Sequence, residues 1–276
     1  MRTIKVQELL GILKHTETAA FEAYLASPIY ISNPKVVQLF ELLSKDTPQT
    51  KTIDKKSLYK SLFPGKRYDD KQVRYLFSYL SGHIENFLAL REFEKDQHQY
   101  LLQLRRSLAE RNSVKAHAFA KFRFRQLDPL ESVSFYLYQY QSAELDHQYS
   151  ATRVRQADYL SILSNLDHFY FLRKLQLQCE LINLRNVFNT ETDMLLIEDI
   201  CELIVRNNFF QSPLIEVYYG ILMMLTSPEK ESEDYFLRVV KLINQSNTKF
   251  PIPDLNNTYQ YVKNFCIRMI NTGNDG

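Results

Sequence analysis

From Asp158 to Phe188 the apolar residues recur with the period of an α-helix, and they fall into two groups where a surface helix needs one. One stripe holds Leu166, Tyr170, Leu177, Leu181, Leu184 and Phe188; the other, on the opposite side of the wheel, holds Phe171, Leu172, Leu175, Cys179 and Ile182. Two polar rows separate them: Asp167, Lys174, Gln178 and Arg185 on one side, Arg173, Gln176, Glu180 and Asn183 on the other. A helix apolar on two opposed sides is expected to lie between neighbours in a stacked array, as a middle layer with the rest of the chain packed around it.

The rest of the chain reads as helices joined by short polar links. Val6, Leu9, Leu10 and Leu13 mark a first helix, and Phe21, Tyr24 and Leu25 a second that Pro28 closes. Asn33 with Pro34 opens a third, and Asp54 a short fourth that Phe63-Pro64-Gly65 ends. Asp69 and Gln72 have capping-box spacing and begin a long helix to about Phe93. Helices follow near 99–111 and 113–126. Asp128-Pro129-Leu130-Glu131 combines cap, first-position proline and third-position glutamate ahead of the helix carrying Val133 to Tyr149. After the central helix, Thr190, Ser212-Pro213, Ser227-Pro228 and Asp254 each announce another. The expected fold is all-α: antiparallel helix pairs stacked as a tetratricopeptide-like solenoid over residues 97–276, preceded by an N-terminal helical module over 1–96.

Two resemblances accompany this reading. Residues 213–246 resemble a tetratricopeptide unit, with Gly220, Ser232 and Phe236 at its small, small and aromatic positions, although Val239 replaces the usual alanine and the first-helix aromatic is missing. Phe21, Tyr24-Leu25-Ala26-Ser27-Pro28, Phe63-Pro64-Gly65 with Tyr68-Asp69, and Leu166-Asp167 with Tyr170, Lys174-Leu175 and Cys179-Glu180 are similar to an uncharacterised family of longer all-helical bacterial proteins. That resemblance implies fold and length and carries over no functional residue.

Composition narrows the chemistry. Six glycines, two of them in the last four residues, leave no phosphate-cradling loop, and neither a Walker nor a dinucleotide-binding motif occurs. Cys179, Cys201 and Cys266 sit singly in helical stretches, which suggests reduced, buried thiols and a cytoplasmic setting. The N-terminus mixes Arg2, Lys5 and Glu8 into an amphipathic pattern unlike a signal peptide, and no apolar run has the length of a membrane span. His147 and His168 each follow an aspartate, but helix neighbours point in different directions and neither histidine has a ligand-type residue four positions on; they read as capping or surface histidines. No serine stands in a strand-turn-helix elbow. No enzyme, cofactor or metal is expected.

Two candidate binding sites remain. The polar row Arg173, Gln176, Glu180 and Asn183 must either bond internally or, with Tyr170 as an anchor, line an open groove that takes a protein or peptide partner, in which case Arg173 and Glu180 share a concave surface with the helices near 131–147 and 192–206. The alternative partner is nucleic acid. Gln97 to Gln126 carries seven Lys/Arg against Glu110 alone, a local charge of +6. Within it, Lys121-Phe122-Arg123-Phe124-Arg125 alternates cation and aromatic as a base-stacking strip would, with Arg105, Arg106 and Lys115 as further phosphate contacts. The competing explanation is a helix's last turn, with cations at the carbonyl end of its dipole and both phenylalanines inward. Thr190 to Asp234 is acidic in turn, ten acids against Arg206 and Lys230, a charge of −8. The last helix, with Tyr261, Val262, Phe265, Cys266 and Met269, has the apolar content of the first member of a pair. It is therefore expected to expose a face, as in the N-terminal piece of a longer repeat protein, and to offer a route to self-association.

Overall fold

A computed structural model describes residues 5–30, 33–46, 54–127, 130–151, 159–188 and 196–271. Among them it is helical throughout, with thirteen α-helices and no strand. By its own contacts the chain divides into two units, residues 1–97 and 98–276.

In the first unit, α1 (Lys5–Ile12), α2 (His15–Ala26), α3 (Pro34–Asp46) and α4 (Lys55–Leu62) all pack on α5 (Asp70–Lys95). Local chemistry sets the helix starts. Asn33 accepts a hydrogen bond from the Lys35 amide, Asp54 from that of Lys56, and Asp69 from those of Lys71 and Gln72. Only half of the expected capping box forms, because the Gln72 side chain instead accepts from the Tyr59 hydroxyl at 2.9 Å and ties α5 to α4. Aromatic edges fill the centre, with the Phe21 ring 5.0 Å from Phe40 and 5.2 Å from Phe87. Gly65, at φ 79°, makes the turn that an L side chain would strain.

The second unit comprises α6 (Gln97–Glu110), α7 (Val114–Arg125), α8 (Val133–Ala151), α9 (Tyr159–Phe188), α10 (Ile197–Arg206), α11 (Pro213–Thr226), α12 (Glu229–Ser246) and α13 (Ile252–Asn271). Asp128, Pro129 and Thr190 lie outside the described residues. The Ser132 hydroxyl, accepting from the Phe135 amide, caps α8, and Glu131 serves a different helix. Its carboxylate accepts from the Ser212 hydroxyl and the Leu214 amide at 3.1 and 3.2 Å, placing negative charge at the positive end of α11. Its own amide donates to the Lys249 carbonyl. α12 runs past Ile243 to Ser246, and α13 starts at Ile252 with Asp254 inside its first turn.

α8 and α9 form an antiparallel pair, since Tyr136 meets His168 while His147 meets Tyr159. α11 packs on the other end of α9, and the core between them joins Leu172, Leu175 and Cys179 to Leu214, Ile215, Tyr218 and Ile221. α11 and α12 are a close pair across the Ser227-Pro228 link. Gly220 makes that closeness attainable: a β-carbon built there would stand 2.7 Å from Val239 Cγ2. Gly220→Ala is therefore expected to destabilise the protein by about 1–3 kcal/mol through overpacking. Urea unfolding would register the loss, and adding Val239→Ala should recover part of it. An unchanged midpoint would mean that the two helices part freely.

The central helix is covered on one side, where two were expected. Phe171, Leu172, Leu175, Cys179 and Ile182 are buried; across the helix Leu166, Tyr170, Leu177 and Leu184 are 38–51% exposed, and Leu181 is half-buried. Periodicity identifies which faces of a helix are apolar; it carries no information on what covers each.

Candidate interaction surface

The polar row between the two stripes of α9 splits by function. Gln176 is buried and donates to Asp254 Oδ1 at 3.1 Å, and Asn183 Oδ1 accepts from Asn264 Nδ2 at 3.1 Å. These two residues, about two helical turns apart, fasten α13 alongside α9 in the same direction. They belong to an internal seam with α13, and the expected groove shared with the helices near 131–147 and 192–206 does not include them. Burial raises the Asp254 carboxyl from its ordinary value, and the Gln176 bond opposes that rise. Arg173 and Glu180 are exposed, and Arg173 reaches back to Gln176 Oε1 at 3.4 Å. Tyr170 is exposed beside them.

What faces outward on α9 is thus an apolar ridge, Leu166, Tyr170, Leu177 and Leu184, edged by charge. Asp167 and Arg185 flank it on one side with half-buried Lys174; Arg173 and Glu180 flank the other. From Leu166 to Leu184 the ridge runs about 27 Å at a rise of about 1.5 Å per residue.

The basic segment is dispersed. Arg105 is wholly buried, donating to Ser142 Oγ at 2.6 Å and to Asp146 Oδ1, with its guanidinium 5.8 Å from the centre of the Phe124 ring. Burial lowers its pKa from the ordinary arginine value, while Asp146 opposes that shift. Lys121, half-buried, pairs with the other Asp146 oxygen at 2.8 Å. Arg105 is therefore a core residue and cannot reach an external phosphate. Arg106, Lys115, Arg123 and Arg125 are exposed. The alternation of cation and aromatic is broken by the helix itself: Phe124 is buried, whereas Phe122 points outward with Phe119. The expected inward packing of the last turn thus holds for Phe124 and fails for Phe122.

Among the groups that invited a catalytic reading, Asp146, His147 and His168 each meet a neighbour outside the Asp-His pairs. Asp146 holds Arg105 and Lys121, and His147 lies instead against Tyr159, with ring centres 4.7 Å apart. His168 is part-exposed, with Nδ1 2.7 Å from the Ser164 carbonyl within its own helix and its ring stacked on Tyr136. Cys179 is buried, its thiol donating to the Tyr218 carbonyl at 3.7 Å and pushed up by desolvation. Cys201 and Cys266 are only half-buried, against the expectation of three buried thiols; desolvation, aided by Glu198, still pushes Cys201 up to about 11. Among the described residues no cluster of three metal-ligating side chains occurs, and no helix is long and apolar enough to cross a membrane.

On α13, Phe265 is buried against Phe236, with ring centres 5.3 Å apart and Arg268 over its face, while Met269 is half-buried. The exposed apolar residues of this helix include Ile252, Tyr259, Ile267 and Ile270, and Ile270 lines a shallow pocket with Leu237 of α12. No family model, no curated protein and no solved structure matches the chain.

Proposed function

We propose that the protein is a non-enzymatic, cytoplasmic helical scaffold that mediates protein–protein interaction through the outward face of α9. The observation that carries this reading is the apolar ridge of Leu166, Tyr170, Leu177 and Leu184, continuous over four turns and more and bordered by charges of both signs. Apolar surface of that extent on one helix is the pattern of a helix-recognition face, with large side chains as anchors and edge charges setting register. The close α11–α12 pair with Gly220 at its contact is in keeping with tetratricopeptide-like stacking of helix pairs.

A photo-crosslinking amino acid placed at Tyr170 or Leu184 in the producing host should capture a protein, and one placed at Lys241 on the exposed side of α12 should not. Equal labelling from all three positions would overturn the assignment. The alternative reading is nucleic-acid binding, favoured by exposed Lys115, Arg123 and Arg125 on the same helix as outward Phe119 and Phe122, with exposed Arg106 on α6. It makes a separate prediction: affinity for a single-stranded oligonucleotide that falls steeply as salt rises, where ridge binding should change little.

A further inference from the structure

We infer that the occupant of the α9 ridge is a second copy of the same chain, laid antiparallel across a two-fold axis near Leu177. This deepens the protein-binding reading of α9 and rests on it.

The argument comes from how the charges are spaced along the two edges. A two-fold axis perpendicular to a pair of facing helices brings each edge of one against the same edge of the other, and carries residue i to the position opposite 2c − i, where c is the residue at the axis. With the axis near 176–177, Arg173 stands opposite Glu180 of the second copy and Glu180 opposite its Arg173. On the other edge Asp167 stands opposite Arg185, and Arg185 opposite Asp167. The two edges place the axis at about 176.5 and about 176 and the apolar residues place it at about 177, so the three agree to within about one residue, or about 1.5 Å. Leu177 meets its own counterpart there, and Tyr170 meets Leu184. All of these side chains except Leu177, Tyr170 and Leu184 are charged, and every one of the seven is exposed in the chain as it stands.

The parallel arrangement is disfavoured by the same charges. In register, it would bring Arg173 and Lys174 of one helix level with Arg173 and Lys174 of the other, gathering four cations at one height. Turning the second helix over puts Glu180 at that height instead. A foreign helix would need to supply a matching charge pattern, whereas a second copy already carries it. The ridge spacing supports helix-on-helix packing: Leu163, Leu166, Tyr170 and Leu177 follow the three-and-four spacing of a coiled-coil seam, with exposed Leu163 extending the ridge at its start.

The full chain should sediment as a dimer at micromolar concentration. Arg173→Glu alone sets carboxylate against carboxylate at both crossings, and Glu180→Arg alone sets guanidinium against guanidinium at both. Each should weaken the dimer by roughly tenfold in Kd, taking two exposed pairs from attraction to repulsion. Because all of these positions are exposed, circular dichroism should show both variants folded. Mixing the two variants restores opposite charges at both crossings, so the mixture should form a heterodimer about as tight as the wild-type dimer. In a parallel pair the two-fold runs along the helices and sets opposite edges together, so Arg173 faces Lys174 of the second copy and Arg173→Glu would tighten the dimer; that result overturns the antiparallel register. A wild-type chain that stays monomeric overturns the self-pairing altogether. If crosslinkers at Tyr170 and Leu184 then capture a different protein, the protein-binding reading of α9 survives without it; if they capture nothing above the Lys241 control, both readings fall together.

Discussion

Asp146→Ala is expected to be the most damaging single change to a charged residue in the second unit, costing about 3 kcal/mol. Removing the carboxylate leaves Arg105 wholly buried with Ser142 as its remaining partner, and an uncompensated buried charge typically costs about 3–5 kcal/mol. The low end applies because the Asp146 side chain is 27% exposed, so water can move in beside the guanidinium. The unfolding midpoint of the second unit should fall by roughly 10 °C. Two companions separate the causes. Lys121→Met removes the other cation on Asp146, but from a half-exposed pair, and should cost no more than about 0.5 kcal/mol. Arg105→Met with Asp146→Leu removes both charges together and should recover most of what Asp146→Ala loses, since a buried ion pair is often no better than apolar packing of similar volume. A loss below about 1 kcal/mol for Asp146→Ala would show that Arg105 finds water or another acceptor, and would return it to the surface cations.

That network also shows where the sequence stops being informative. Arg105 lies in a run of basic residues, and nothing within several turns of it along the chain marks it as different from Arg106. Its partners Ser142 and Asp146 lie 37 and 41 residues away, brought beside it only when α8 packs on α6 and α7. A signal is present in the partner helix: Ser142 and Asp146 are four apart, hence on one face, and that face is otherwise apolar with Tyr138 and Leu145. A polar pair on an apolar face needs a partner in the core.

Helix starts are legible because their causes are local. Asn33, Asp54, Asp69 and Ser212 each close a hydrogen bond within three residues, and the structure places a helix after every one. Glu131 defeats a local reading because the same carboxylate can cap its own helix or another's, and the Ser212 hydroxyl and Leu214 amide, some 80 residues on, compete for it. Gln176 and Asn183 stand out in the sequence as polar groups needing partners between two packed elements, which they are. Their partners on α13 cannot be read from periodicity, which gives the direction a side chain leaves its helix and no more. Arg173 and Glu180 fall in the same polar row of the wheel and Tyr170 in the adjoining apolar stripe, and all three face outward.

The second large effect separates the two stripes of α9 by direct comparison of two leucines on one helix. Leu172→Ala empties a site that is fully enclosed by the α9–α11 core and should cost about 2–5 kcal/mol, the transfer of the lost methyls plus the cavity they leave. Leu177→Ala removes the same atoms from a side chain that is 44% exposed, and in dilute protein should cost well under about 1 kcal/mol. The difference should shrink as protein concentration rises if the ridge pairs with a second copy. Association adds stability to the folded state in proportion to how much dimer is present, and Leu177 sits at the axis of that dimer while Leu172 does not touch it. Urea midpoints measured at two concentrations a hundredfold apart would resolve this. The wild-type and Leu172→Ala midpoints should both rise with concentration, and that of Leu177→Ala should barely move. If Leu177→Ala costs as much as Leu172→Ala already in the dilute sample, the ridge is packed within the chain after all, and α9 is the two-sided middle layer that its periodicity suggests.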